Sequence, residues 1–169
     1  TGSGLGGGSA NAAAVLKGIN KIYKLKLTAM ELEQIARKIG ADVPFFIKGK
    51  TQLGEGVGEK LTQLHNTIIG TYLLVIPKFS ISTEWAYSII KNKLNDQDKK
   101  VNFSSFFNGD YSSLQIFEND FERIVIPAYP EIGAIKIKLL KLGARFVSLS
   151  GSGSTVYGIF DDEASAKEA

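Results

Sequence analysis

The sequence predicts an α+β protein in which helices cover one face of an antiparallel sheet. Apolar residues recur at helical spacing through the first 40 positions and again over residues 130–142. Three segments are predicted to form the sheet. One is an apolar run at residues 72–76, and the other two flank a tight Gly/Ser loop near the C-terminal end. At 169 residues and 44% hydrophobic content, the chain can form one compact domain, or one domain plus part of another.

The first half is predicted to be mainly helical. A helix is expected over Ala12–Leu25, and a second helix begins at the Thr28–Glu31 capping box and ends at Gly40. The residues predicted to be buried are Val15, Leu16, Ile19, Ile22 and Tyr23 on the first helix, and Leu32, Ile35, Ala36 and Ile39 on the second. Alternating segments at residues 50–53 and 60–64 predict a β-hairpin.

The second half alternates strands and helices. A strand at Tyr72–Ile76 is followed by a helix that Ser82 caps, a polar loop at residues 92–100, and a helical segment that begins around Asn119–Glu122. The remaining predicted elements are a helix at Pro130–Leu142, strands at Ala144–Leu149 and Thr155–Phe160, and a helix that begins at Asp161–Glu163.

Composition excludes several classes of protein. The chain has no cysteine and only one histidine, His65, so a disulfide scaffold and a Cys/His zinc site are excluded. Lysines and acids are interspersed at a net charge of +3, without a basic stripe for nucleic acid or a membrane surface. No apolar run reaches the roughly 18 residues that a membrane-spanning helix needs. We therefore expect a cytoplasmic protein without nucleic-acid or membrane partners.

The most informative segment is the glycine-rich start of the chain. Residues 2–8 contain five glycines and precede an alanine-rich run that is predicted to be helical. Glycines let successive amides turn toward an anion, and a following helix adds free N–H groups and the positive end of its dipole. This layout is typical of a phosphate-binding loop and indicates ATP chemistry.

Three other kinds of segment are also rich in glycine. Gly2, Gly4 and Gly7 fit the dinucleotide pattern G-x-G-x-x-G, but the sequence does not include the upstream segment that would carry the required strand. The region about 20 residues on is predicted to be helical rather than a strand ending in an acid. A Walker loop is excluded because no Gly-Lys-Ser/Thr follows. A flexible Gly/Ser linker is disfavoured because the loop runs directly into an apolar helix.

Two further segments carry residues that suit chemistry, and each has a simpler structural interpretation. Asp42, two residues before Pro44, is either a general base or the cap of a short helix. Residues 150–153 either line a site or only form a tight turn between strands. Tyr87, an aromatic residue on an amphipathic helix, is by itself interpreted as a core residue.

Taken in chain order, these segments resemble the signature regions of the GHMP kinases. The similar segments are Gly-Leu-Gly-Gly-Gly-Ser-Ala-Asn (residues 4–11), Gly-Ala-Asp-Val-Pro-Phe-Phe (40–46), Asn-Asp-Phe-Glu (119–122), Tyr-Pro-Glu-Ile (129–132) and Leu-Ser-Gly-Ser-Gly-Ser-Thr (149–155). The match is closest to members that phosphorylate a cytidine-diphosphate-linked alcohol in isoprenoid biosynthesis. Several motifs in the family's order, over nearly the whole chain, are far more specific than any one of them.

The resemblance implies a GHMP kinase fold and an ATP-dependent kinase, and it assigns roles to residues. The implied ATP phosphate-binding residues are Gly2, Ser3, Gly4, Leu5, Gly6, Gly7, Gly8, Ser9, Ala10 and Asn11. Asp42 is implied as the catalytic base, and the implied substrate-binding residues are Thr83, Tyr87, Ser150, Gly151, Ser152 and Gly153.

The expected cofactor is Mg²⁺, and Ser9 is its candidate ligand. Gly7 and Gly8 stand where related kinases have hydroxyl residues, so this ligand role competes with a simpler one in which Ser9 caps the following helix.

The resemblance also implies a domain organisation. Residues 1–66 are expected to be the C-terminal part of the N-terminal, ATP-binding domain, and residues 67–169 an incomplete C-terminal domain. We therefore expect a fragment, inactive alone, of a monomeric or homodimeric kinase with a small-molecule cytidyl substrate. The alternatives are a kinase of mevalonate or homoserine derivatives and a non-catalytic nucleotide-binding module.

Overall fold

The computed structural model describes residues 2–56, 58, 60–64, 68–91 and 114–169. The predicted polar loop at 92–100 and His65 lie outside the described residues. The chain divides into two compact units, which we call the N-terminal unit (Gly6–Thr67) and the C-terminal unit (Thr1–Leu5 with Ile68–Ala169). Among the described residues, no helix is both long and apolar enough to cross a lipid bilayer.

The N-terminal unit consists of three helices and a β-hairpin. Its elements are α1 (Gly7–Ile22), α2 (Ala29–Arg37), α3 (Val43–Lys48), β1 (Gln52–Glu55) and β2 (Lys60–Gln63). The two strands pair antiparallel, with Gln52 opposite Gln63 and Glu55 opposite Lys60. The predicted hairpin is therefore confirmed, although its first strand begins two residues later than expected.

Helix α1 begins five residues earlier than predicted. Its N-cap is Gly6 in the left-handed conformation (φ 64°), and the first helical bond runs from the Ala10 amide to the Gly6 carbonyl at 2.9 Å. Alternating Gly, Ser and Ala residues carry little helical periodicity, so the sequence pattern did not reveal the first turn. Residues 7–11, predicted to be loop, are thus helical.

The predicted buried face of α1 is wrong except at Leu16, which is half-buried and packs against the core. Val15 is 59% exposed and Ile22 is 74% exposed, whereas Ala13 is buried. The core of this unit consists of Ala13, Leu32, Ala36, Val43 and Ile47, with Ala12, Leu16, Leu27 and Phe46 packed against it. Small alanine side chains on α1 therefore face the other helices, and most of the large apolar residues of α1 face outward.

Helix α2 follows the prediction in part. The capping box is confirmed, because the Thr28 hydroxyl accepts a hydrogen bond from the Glu31 amide and the Glu31 carboxylate accepts one from the Thr28 amide at 2.8 Å. Leu32 and Ala36 are buried as predicted, but Ile35 and Ile39 are exposed. The helix ends at Arg37, three residues before Gly40.

The C-terminal unit has the predicted α+β layers. Its elements are β3 (Thr71–Val75), α4 (Thr83–Ile90), a 3₁₀ turn (Leu114–Phe117), α5 (Glu122–Ala128), α6 (Pro130–Lys141), β4 (Phe146–Leu149), β5 (Val156–Phe160) and α7 (Glu163–Glu168). The predicted cap of α4 is confirmed, because the Ser82 hydroxyl accepts a hydrogen bond from the Trp85 amide at 3.2 Å.

An antiparallel sheet of three strands lies at the centre of this unit. The strand order is β3-β5-β4, with Leu73 opposite Gly158 and Val147 opposite the same glycine from the other side. The helices pack against one face of the sheet, where Val147, Leu149, Val156 and Phe160 meet the buried residues of α4 to α7. The predicted architecture, helices on one face of an antiparallel sheet, is confirmed in this unit.

Candidate functional site

The first residues of the chain lie against the turn between β4 and β5. Gly2 and Gly4 adopt left-handed backbone conformations, with φ values of 86° and 78°. A Cβ atom at Gly4 would lie 2.0 Å from the Ser150 carbonyl oxygen and 2.9 Å from that of Gly153. Only glycine fits at position 4, because any side chain would collide with two backbone carbonyls.

Hydrogen bonds join the same two segments within the C-terminal unit. The Ser150 hydroxyl donates to the Gly4 carbonyl at 2.8 Å, and the Thr155 amide donates to the Ser3 carbonyl at 3.0 Å. Two regions that the sequence indicated separately, residues 2–5 and 150–153, are thus one interlocked structure. We call it the paired glycine loops.

The rest of the predicted phosphate-binding segment forms the first turns of α1 in the N-terminal unit. The amides of residues 7–9 precede the first helical hydrogen bond, so the helix itself leaves them without acceptors. Added Cβ atoms at Gly7 and Gly8 would meet nothing within 4 Å, whereas one at Gly6 would lie 2.8 Å from the Phe46 ring. Free amides beside open space at a helix N-terminus can bind an anion.

Ser9 does not cap α1. It is the third residue of the helix, and the cap position is held by Gly6 without a side-chain hydrogen bond. The alternative that assigned Ser9 a capping role is therefore wrong. Its half-buried hydroxyl is a hard oxygen donor of the kind that Mg²⁺ accepts. The described residues contain no cluster of three or more His, Cys, Asp or Glu side chains that would hold a metal without a nucleotide.

Asp42 stands at the N-cap of α3, but its side chain makes no capping hydrogen bond within the described residues of this helix. Its backbone is α-helical (φ −88°, ψ −10°), whereas an N-cap that bonds the first turn is typically extended. Pro44 also removes one of the two amides, those of the second and third helical residues, that such a cap can bind. The capping interpretation of Asp42 is therefore wrong, and its exposed carboxylate points to no structural partner in its own helix.

Helix α3, which begins directly after Asp42, is held by side chains of its neighbours. Lys17 of α1 donates to the Phe46 carbonyl at 2.8 Å. Lys48 forms an ion pair of 3.1 Å with the nearly buried Glu33 of α2. The Gln52 amide group donates to the Phe45 and Gly49 carbonyls at 2.9 Å each. These bonds fix the short helix that positions Asp42.

The predicted substrate residues of α4 lie on one helical face. The Thr83 and Ser152 hydroxyls are 3.1 Å apart, so the start of α4 contacts the turn at residues 150–153. Tyr87, one helical turn later, is 60% exposed and makes an edge contact with Phe121 at 5.0 Å between ring centres. The interpretation of Tyr87 as a core residue is therefore wrong.

The turn at residues 150–153 is also a tight connection, as its simpler interpretation predicted. The Gly153 amide donates to the Ser150 carbonyl at 2.9 Å, and Gly151 and Gly153 have φ values of 55° and 91°. Ser152 is buried and Ser150 is half-buried. The interpretation as a tight turn between strands is therefore confirmed, and the same turn contacts the opening loop through Ser150.

Sequence reasoning missed two residues that contact this turn. Asn119 and Glu122 were predicted to start a helix and to belong to a resembling motif, but no contact was predicted for them. Both bond to Leu149 at the end of β4, and Asn119 also bonds to Gly151 in the turn that follows. Their partners lie 27 to 32 residues further along the chain. Local periodicity carries no information about such contacts, so only the motif itself marked these residues.

Two family models match the chain. The model of the GHMP kinases N terminal domain matches residues 1–50, and the model of the GHMP kinases C terminal domain matches residues 102–169. Together they span more than half of the sequence, in the order that the motifs indicated. The chain belongs to the GHMP kinase family.

Curated relatives of the chain bear the name of one particular kinase of this family. The chain is 41% identical to a 4-diphosphocytidyl-2-C-methyl-D-erythritol kinase of Thermodesulfovibrio yellowstonii, over 99% of this chain and 61% of the relative. It is equally identical to the kinase of that name from Geobacter sulfurreducens, over 99% of this chain and 59% of the relative. The chain thus spans about three fifths of the length of the curated relatives it matches.

Solved structures agree with these matches. A crystal structure of 4-(cytidine 5'-diphospho)-2C-methyl-D-erythritol kinase superposes with a TM-score of 0.77 at 27% identity, over 99% of this chain and 61% of that chain. A homoserine kinase from Cytophaga hutchinsonii gives a TM-score of 0.63 at 18% identity, over 99% of this chain and 59% of that chain. At this identity, the likeness to the homoserine kinase shows a shared fold and no shared function.

Proposed function

We propose that this chain belongs to an ATP-dependent kinase that phosphorylates the 2-hydroxyl group of 4-diphosphocytidyl-2-C-methyl-D-erythritol in non-mevalonate isoprenoid biosynthesis. The observation that carries the proposal is the pair of glycine loops, in which Gly4 has room for no side chain against Ser150. Relatives at 41% identity bear the name of this kinase, which supports the choice of substrate.

The ATP phosphates are proposed to bind along residues 2–11. Gly2 and Gly4 have the left-handed backbone conformations that let successive amides turn toward one anion, and the free amides at the start of α1 add the positive end of the helix dipole. Glycines at positions 7 and 8 leave space beside these amides for phosphate oxygens. The triphosphate is thus held mainly by main-chain N–H groups.

Asp42 is proposed to be the catalytic base. Its carboxylate accepts the proton of the substrate hydroxyl while the hydroxyl oxygen attacks the γ-phosphorus and the bond to the ADP leaving oxygen breaks. Phosphoryl transfer depends mainly on positioning and charge neutralisation, so one correctly placed carboxylate suffices. An exposed carboxylate that is not used for helix capping suits this role.

Ser9 is proposed to supply a ligand to Mg²⁺, which would neutralise phosphate charge when bound with the nucleotide. On the substrate side, Tyr87 offers an exposed ring for the cytosine base. Thr83 and the residues Ser150, Gly151, Ser152 and Gly153 contribute to the substrate pocket.

The remaining parts of the proposal concern organisation. We propose that the protein is cytoplasmic, acts on a small molecule as a monomer or homodimer, and divides at residues 66 and 67 into an N-terminal ATP-binding domain and a C-terminal domain. The compact units divide at Thr67 and Ile68, which supports this boundary, while residues 1–5 group with the C-terminal unit.

The test is a coupled ADP-release assay on the protein that contains this chain, with ATP and a panel of acceptors. We expect turnover with the cytidyl substrate and at least about 100-fold lower kcat/KM with mevalonate or homoserine, because these lack the cytidine group. Turnover with mevalonate or homoserine alone would replace the substrate assignment. ATP binding by calorimetry without any turnover would identify a non-catalytic module.

A further inference from the structure

Asn119 joins the segment before α5 to the turn at residues 150–153. Its side-chain amide nitrogen donates to the Leu149 and Gly151 carbonyls, both at 2.8 Å. Its side-chain oxygen accepts from the Phe121 amide at 3.0 Å, which fixes the rotamer. Both hydrogens of the Asn119 side-chain amide are therefore donated to backbone carbonyls at the start of the turn.

Glu122 holds the same strand end from the first residue of α5. Its carboxylate accepts from the Leu149 amide at 2.8 Å and from the Ser148 hydroxyl at 3.1 Å. The other carboxylate oxygen is paired with Lys136 of α6, and both charged side chains are more than four-fifths buried. The Glu122 carboxylate is therefore held by Lys136 on one side, and on the other it holds the backbone of Leu149 through a charge-assisted hydrogen bond.

Asn119 and Glu122 together bond both backbone polar groups of Leu149, the last residue of β4. We call these two side chains the strand-end bracket. The next residue, Ser150, donates its hydroxyl to the Gly4 carbonyl. The two side chains therefore hold the residues on either side of Ser150 or directly before it, and Ser150 in turn holds the opening glycine loop.

We propose that the strand-end bracket positions the paired glycine loops, and hence the phosphate-binding backbone, for nucleotide binding. Asn119 and Glu122 are positioning residues, because they act through the turn and the opening loop. This inference rests on the proposed kinase function for its kinetic part. Its structural part, that the bracket holds residues 2–5 against the turn, can be measured without activity.

The kinetic experiment compares Asn119→Asp with Asn119→Ala in the protein that contains this chain. Aspartate keeps the shape of asparagine but turns a carboxylate oxygen toward two carbonyl oxygens, whereas alanine only removes the donor. We expect Asn119→Asp to raise the KM for ATP about tenfold, with a smaller fall in kcat, and Asn119→Ala to raise it less.

Asn20→Asp is the matched control. Asn20 also bridges two segments, donating to the Leu27 carbonyl and accepting from the Leu27 amide at 3.0 Å each, but it lies on α1 far along the chain from the turn. It is expected to lower the melting temperature without changing the KM for ATP. An unchanged KM in Asn119→Asp, or an equal rise in Asn20→Asp, would overturn the positioning role.

Amide hydrogen exchange tests the structural part on this chain. The reporter is the Thr155 amide, which donates to the Ser3 carbonyl. In Asn119→Asp its exchange is expected to rise at least about fivefold relative to the amides of β5, and in Asn20→Asp the ratio is expected to stay constant. An unchanged ratio in Asn119→Asp overturns the inference. If the unmodified protein shows no kinase activity, the proposed function fails and the exchange result alone decides.

Discussion

Asp42 differs from the other polar residues that precede helices in this chain. Thr28, Ser82 and Asp162 all have extended backbones, and their side chains accept hydrogen bonds from the first helical turn. Asp42 is helical in backbone and caps nothing in α3. Because the carboxylate contributes no capping energy, its presence at this position favours a chemical role over a structural one.

Replacing Asp42 by asparagine tests that role. The Asp42→Asn variant keeps the shape of the side chain but cannot accept a proton, so we expect kcat to fall by about 10²–10⁴-fold while ATP affinity stays within about twofold. The measurement is steady-state kinetics together with calorimetric titration of ATP. Asp162→Asn is the control, since asparagine caps helices as well as aspartate does, and it should leave kcat unchanged. Turnover close to that of the unmodified protein would exclude Asp42 as the base.

At the scale of elements, the first turn of α1 contains two glycines, which lower the stability of a helix. Gly7 and Gly8 occupy helical positions where a Cβ would meet nothing within 4 Å. Alanine at such positions costs no steric strain and stabilises a helix by roughly 0.5–1 kcal/mol relative to glycine. Helical glycines beside open space therefore indicate that something other than the helix requires the room.

Gly8→Ala is expected to stabilise the folded protein and at the same time to weaken ATP binding. The added methyl group should raise the free energy of unfolding by up to about 1 kcal/mol, and it should weaken ATP binding because it occupies space beside the free amides. Denaturant unfolding and calorimetry measure the two effects. Gly18→Ala, at another helical glycine with open space, is the control and should stabilise without loss of affinity. Equal ATP affinity in both variants would remove position 8 from the phosphate site.

The capping box of α2 should be sensitive to pH. Hydrogen bonds from the Thr28 amide and hydroxyl lower the pKa of Glu31 below its ordinary value of 4.5. Because the folded pKa is the lower one, the contribution of Glu31 to stability is complete above pH 4.5. It is lost as the pH falls through the folded pKa. Helix α2 should therefore lose its reciprocal cap only in acid.

We expect Thr28→Ala to lower the melting temperature at pH 7, and the difference from the unmodified protein to shrink in acid, as the pH falls through the lowered pKa of Glu31. Thermal melts across this range measure the effect. Ser82→Ala is the matched control, because Ser82 caps α4 by bonding the Trp85 amide without a returning carboxylate. The change in melting temperature for Ser82→Ala should not depend on pH. A constant difference for Thr28→Ala would show that Glu31 does not contribute through its charge.

At the scale of the whole molecule, the sequence predicted most elements and the region of the site, but not the contacts that join distant segments. Turn and cap chemistry is local, so the hairpin, the Thr28 box and the Ser82 cap were predictable. The Gly4–Ser150 contact spans 146 positions and depends on how the sheet brings its ends together. Only the resemblance, and no periodicity, suggested that these loops belong to one site.

The buried face of α1 shows a second limit of prediction. Spacing correctly groups Val15, Ile19 and Ile22 on one stripe, but it does not tell which side of a helix is covered. Alanine is neutral in such patterns, yet Ala13 is buried because a small residue lets neighbouring helices approach. The apolar stripe therefore remains exposed on the N-terminal unit.

Exposed apolar stripes favour association, so this chain should self-associate. Val15, Ile19 and Ile22 are 59%, 43% and 74% exposed, and burying such side chains contributes about 25 cal/mol per Å². We expect sedimentation velocity to show concentration-dependent association of this chain, and the double variant Ile19→Gln with Ile22→Gln to reduce it. Ile137→Gln, which replaces an isoleucine 57% exposed in the C-terminal unit, should have a smaller effect. Association unchanged by the double variant would mean that the stripe on α1 does not drive it, because removing two of its three large side chains removes most of its apolar area.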